Sequence, residues 1–166
     1  MQNNDLAGRQ HPHFIGAWTL DDLSICDDIV AFFEQHQAMH QPGATSRGIN
    51  PAEKLSTDIN IKPRDLGLPS HQALSRYVDA LHVCYRRYLE EWPFLGGMLS
   101  DMDIGDFNIQ RYFAGEHFSK VHTERAALAN SHRLLAWMTY LNDVDAGGHT
   151  HSNIMISTSN RNAARP

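Results

Sequence analysis

The sequence predicts an α+β fold in which helices pack against a β-sandwich or barrel. Two observations carry this reading. Apolar residues recur every three or four positions in the first hundred residues, as on one face of a helix. From Phe107 onward the period changes to that of strands, so helices come first and strands later.

Taking the elements in order, residues 1–13 read as a loose polar leader, and Phe14 to Leu20 is a short apolar stretch with strand character. Thr19 and Asp22 have the spacing of a capping box. Leu23, Cys26, Ile29, Val30 and Phe33 then form the apolar stripe of a helix over about residues 21–38, ended by Gln41-Pro42-Gly43. Residues 42–54 read as loop. Ser56 to Ile61 is a candidate strand, with Ile59 and Ile61 alternating against Asp58 and Asn60. A second helix follows Pro69-Ser70, with the stripe Leu74, Tyr77, Val78, Leu81, Tyr85, Tyr88 and Leu89, and Pro93 and Gly96-Gly97 end it. Phe107 to Tyr112 alternates as a strand and closes at Gly115. Leu134 to Leu141 is apolar at nearly every position, as in a strand covered on both faces. Residues 152–166 carry no aromatic residue and no useful period, which predicts a disordered tail.

The length of 166 residues suits one domain. A net charge of -5 offers no basic surface and argues against a nucleic-acid partner. No long uncharged apolar run predicts a membrane span, and the N-terminus lacks the apolar core of a signal peptide, so the expected compartment is the cytoplasm. Cys26 and Cys84 fall on the apolar faces of the two helices and are expected to be buried thiols, outside any disulfide or metal pair. Of eleven histidines, His11, His36, His71 and His82 are scattered and read as surface residues.

The histidines from His117 to His151 lie in a more suggestive context. His122 and Glu124 are one residue apart, and on a strand such positions project from the same face. An imidazole nitrogen and a carboxylate oxygen can then reach one cation. One further histidine would complete the facial triad of a non-haem iron(II) centre and leave positions open for a cosubstrate and O₂.

Four segments extend this pair: Asn108-Ile109-Gln110-Arg111-Tyr112, His122-Thr123-Glu124-Arg125, Met138-Thr139-Tyr140-Leu141-Asn142-Asp143 and Gly147-Gly148-x-Thr150. In order and spacing they resemble the prolyl 4-hydroxylase-like branch of the Fe(II)/2-oxoglutarate-dependent oxygenases. The segment Lys54-x-Ser56-Thr57-Asp58 looks like one found in bacterial and phage members. The resemblance spans roughly residues 14–151. It implies a double-stranded β-helix, a relative of the jelly roll and cupin folds, bearing the N-terminal helices. It implies that His122 and Glu124 are metal ligands, with Glu where many relatives have Asp, and that Tyr112 and Tyr140 line the 2-oxoglutarate pocket. The implied activity is hydroxylation of a protein or peptide side chain, with Fe(II), 2-oxoglutarate, O₂ and, as in the family, ascorbate. His149 and His151 do not match the distal-ligand position and read as bystanders.

The family pattern continues with a distal histidine in a Trp-x-His-x-His-like segment and a later basic residue for 2-oxoglutarate. Residues 152–166 contain no histidine, and the neighbours of Arg161 and Arg165 do not match. With permitted codons, a two-base shift turns this stretch into Phe-Glu-His-Tyr-Asp-Phe-Asn-Ile-Lys-Pro-Glu-Arg-Gly-Lys-Thr, which resembles the family's own continuation. The expectation is therefore a partial oxygenase domain over 14–151, incomplete at its C-terminus, with a frameshifted tail from residue 152 and impaired activity. Two alternatives stay open: a non-catalytic binding or regulatory protein on the same fold, and a small metal protein, for instance for zinc, using His122, Glu124, His149 and His151.

Overall fold

The structure is a computed structural model that describes residues 14–98, 103–125 and 127–150. It is an α+β arrangement of three helices, α1 (Ser24–Gln35), α2 (Gln72–Glu91) and α3 (Pro93–Met98), and five short strands. The strands are β1 (Gln41–Pro42), β2 (Lys54–Leu55), β3 (Thr57–Ile61), β4 (Phe107–Arg111) and β5 (His117–Phe118). The chain divides into two compact units: Met1–Val30 with Gly67–Asp103 and Tyr140–Pro166, and Ala31–Leu66 with Ile104–Thr139. The leader at 1–13, His151 and the tail at 152–166 lie outside the described residues. No helix among the described residues is long and apolar enough to cross a membrane.

In the first unit, α1 begins later than the capping-box spacing implies. The Ser24 amide donates to Asp22 Oδ1 at 3.0 Å, so Asp22, not Thr19, satisfies an otherwise unpaired N-terminal amide. Its buried stripe is also rotated from the predicted one. Ile25, Cys26 and Ile29 are buried, as are Phe32 and Phe33 where the helix runs on into the second unit, while Leu23 and Val30 are exposed. On α2, Leu74, Tyr77 and Val78 are buried, and Leu81, Tyr85, Tyr88 and Leu89 are half-buried, as their spacing predicts. Arg76 donates to Asp22 at 2.9 Å and to Asp28 at 2.7 Å, tying α2 to the start of α1. Hydrogen bonds from Ser24, then Arg76, hold the Asp22 carboxyl below its ordinary range.

The chain resumes helix at Pro93, where a residue without an amide proton costs little. Phe14 to Leu20 forms no extended strand; Phe14 instead packs beside Trp92 and Phe94, with its carbonyl accepting from the Tyr88 hydroxyl. Two further expectations are corrected here. His71 is buried at the head of α2, with Nδ1 3.0 Å from the Ser70 hydroxyl, rather than being a surface residue. Cys26 is buried, but Cys84 is only half-buried, and neither forms a disulfide.

In the second unit, β3 is the central strand of an antiparallel sheet ordered β1-β3-β4. Ile59 faces Ile109 and Ile61 faces Phe107, so apolar cross-strand pairs fix the register. Asn60 Nδ2 donates to Asn108 Oδ1 at 3.0 Å across the same ladder. At the end of β4, Arg111 donates to both carboxylate oxygens of Glu34, and its guanidinium lies 5.1 Å from the Phe33 ring centre and 4.5 Å from that of Phe113. The segment predicted as loop at 42–54 contributes β2, whose residues Lys54 and Leu55 pair with Phe118 and His117 of β5.

The expected strand at Leu134–Leu141 does not form. A strand needs a neighbour that continues its ladder, and the ladders among the described residues are β1–β3, β3–β4 and β2–β5. Leu134, Trp137 and Met138 are exposed rather than covered on both faces.

Candidate metal centre

β4 leads into a turn at Ala114-Gly115, where Gly115 takes φ 86°, and the chain returns as β5. Beyond Phe118 the strand ends, although the Ser119 amide still donates to the Glu53 carbonyl at 2.9 Å. His122 therefore lies outside any strand and Glu124 in a turn, which corrects the expectation that strand alternation brings them together. They meet nonetheless. His122 Nε2 lies 3.5 Å from Glu124 Oε1, with both side chains about half exposed.

His122 Nδ1 is 2.9 Å from the carbonyl oxygen of Lys120. A carbonyl only accepts, so Nδ1 carries a proton and donates it. Nε2 is then the nitrogen turned to the carboxylate. Two lone pairs face each other favourably only with a proton or a cation between them. Two metal–ligand bonds of about 2.1 Å meeting at a right angle would set their donor atoms about 3 Å apart, close to the separation seen. Metal-bound histidines also commonly donate their second N–H to a carbonyl, as His122 does. The pair thus fits two ligands of one cation. No group of three or more His, Cys, Asp or Glu residues suited to a metal occurs among the described residues. Glu124 also has a protein cation beside it: Arg133 donates to Oε2 at 3.2 Å.

Tyr112 belongs to the same unit as His122 and Glu124. Its hydroxyl donates to Gln110 Oε1 at 2.9 Å. Burial chiefly, with the nearby Asp58 carboxylate, pushes the phenol up to about 12, while a hydrogen bond with Ser56 pulls the other way. Tyr140 belongs to the other unit, where its hydroxyl lies 2.9 Å from the Thr150 hydroxyl.

A second feature adjoins the pair and was not assigned from the sequence. Lys54 and Asp58 are buried, with Lys54 Nζ donating to Asp58 Oδ2 at 2.6 Å. Ser56 Oγ donates to Asp58 Oδ1 at 2.8 Å. Gly43 closes over them: a Cβ there would fall 2.1 Å from Ser56 Oγ. Lys54 Nζ also lies 5.3 Å from the centre of the Phe118 ring, and that ring stacks on His122. The signal was present in the period of two that places residues 54, 56 and 58 on one face. A wholly polar face reads as solvent-facing, however, and this one is enclosed.

No family model, no curated protein and no solved structure matches this chain.

Proposed function

We propose that the chain derives from an Fe(II)/2-oxoglutarate-dependent dioxygenase of the prolyl 4-hydroxylase type, acting on a protein or peptide side chain. The double-stranded β-helix belongs to this proposal. The described sheets, of three and two strands, are compatible with part of it. The observation that carries the reading is the His122–Glu124 pair, with Nδ1 committed to the Lys120 carbonyl and Nε2 turned to the carboxylate.

In this reading His122 and Glu124 hold the iron, and bound iron with 2-oxoglutarate and O₂ supplies the oxidising chemistry. The Lys120 carbonyl orients His122. Tyr112, whose phenol burial keeps protonated, offers its hydroxyl to the cosubstrate. Arg133 balances part of the Glu124 charge. The four ordered sequence motifs give the pair its family context. Among the described residues this pair offers two ligands, so metal is expected to be held weakly and turnover to be slight.

Succinate release from 2-oxoglutarate, measured with iron and ascorbate, tests the proposal together with an iron titration of the wild type and His122→Ala. Weak binding that depends on His122 supports it. Robust turnover would contradict the expectation of a weakly held metal.

A specific observation favours a second reading, a non-catalytic binding protein on the same fold. Glu124 is already paired with Arg133, so the acidic partner has a cation without any metal. In that case His122→Ala leaves the titration unchanged.

A further inference from the structure

We propose that the buried Lys54–Asp58 pair is a positioning device for His122, acting through the ring of Phe118. The inference rests on the metal-centre reading for its purpose, but its geometry is independent of any metal.

The side chain of Lys54 is 2% exposed, so its ammonium has left water for two protein surroundings, the Asp58 carboxylate and the face of Phe118. Ser56 holds the other oxygen of Asp58, so the carboxylate has little freedom to turn. Lys54 is also the backbone partner of Phe118 in the β2–β5 ladder. Main chain and side chain therefore tie the same two residues together. Phe118 passes this constraint on, because its ring lies 4.4 Å from the His122 imidazole, centroid to centroid, at 14° between planes. This matters because His122 lies outside the regular strand and is half exposed. Its ring orientation is set by the Phe118 face, the Lys120 carbonyl and Glu124. Burying an ion pair is a poor source of stability compared with an apolar pair of similar shape. A role in fixing a neighbour's geometry accounts for this one.

The test uses the full chain and two readouts. In the metal-free protein, the His122 ring protons should be displaced upfield by the stacked Phe118 ring, as measured by NMR. Cobalt(II), titrated by its own absorption, then reports on the metal site. Phe118→Leu should abolish the displacement and weaken cobalt binding about tenfold, the usual scale for groups that orient a ligand. Phe118→Tyr, which retains an aromatic face, should preserve both.

The double variant Lys54→Met/Asp58→Asn removes both charges without stranding either. It should reduce the displacement and weaken cobalt binding, yet add nothing in a Phe118→Leu background, because Lys54 acts through that ring. Ser56→Ala loosens Asp58 more gently, should shift the same resonances the same way by less, and serves if the double variant does not fold. Unchanged ring protons in both the double variant and Ser56→Ala would overturn the proposal. So would a double-variant effect on cobalt binding undiminished without Phe118. If the wild type takes up no cobalt, the metal-centre reading fails, while the ring-proton displacement still decides the positioning role.

Discussion

The Phe118 ring lies nearly parallel to the imidazole of His122, 14° between planes, and the Lys54 ammonium sits 5.3 Å from the centre of that same ring. A buried charge, an aromatic face and a candidate metal ligand therefore follow one another in a single compact unit.

Lys54→Met alone should be more damaging than the paired change. It leaves the Asp58 carboxylate buried with only the Ser56 hydroxyl at its other oxygen. Loss of one partner of a buried ion pair costs about 3–5 kcal/mol. Chemical denaturation should show Lys54→Met losing stability on that scale, and Lys54→Met/Asp58→Asn losing clearly less.

Gly43→Ala should strain the same cluster, since the new methyl would fall 2.1 Å from Ser56 Oγ. Overpacking of this kind costs about 1–3 kcal/mol. Adding Ser56→Ala removes the clashing oxygen, so a double-mutant cycle should show the two changes partly cancelling.

Arg133→Ala should strengthen metal binding several-fold. The guanidinium competes for Glu124 and repels an incoming cation. His122→Ala and Glu124→Ala should each abolish binding in the same cobalt titration. A weakened Arg133→Ala variant would mean that the arginine holds Glu124 in place rather than competing for it.

Tyr112 should make stability fall in alkali. An unfolded tyrosine loses its proton near pH 10, whereas burial raises the folded phenol to about 12. The folded state thus retains a proton that the unfolded state has lost. Its contribution is fully present below pH 10 and declines as pH rises toward 12. Tyr112→Phe should flatten that decline in denaturation curves and remove a late-ionising tyrosine from the ultraviolet titration. Partial exposure of the ring screens the effect and keeps it small.

How far the molecule was legible from its sequence differs by element. The α2 stripe and the β3 and β4 strands were readable because their periods extend over five or more residues. The start of α1 was misplaced because two side chains, Thr19 and Asp22, offer the same capping chemistry, and only the backbone path selects between them. The Leu134–Leu141 run shows the limit of composition: apolar content reports a tendency to be covered, while a strand also requires a neighbouring ladder.

The sequence by itself determined the α+β class, the main helix and sheet segments, and the nomination of His122 and Glu124, since these depend on local spacing and residue chemistry; Tyr112 was nominated only by the family resemblance. Only the tertiary structure decided that Lys54 and Asp58 are enclosed, that Phe118 lies between that pair and His122, and that His122 meets Glu124 through a turn rather than along a strand. Burial of a charge and the stacking of rings depend on which distant segments close over them, and no local period encodes that.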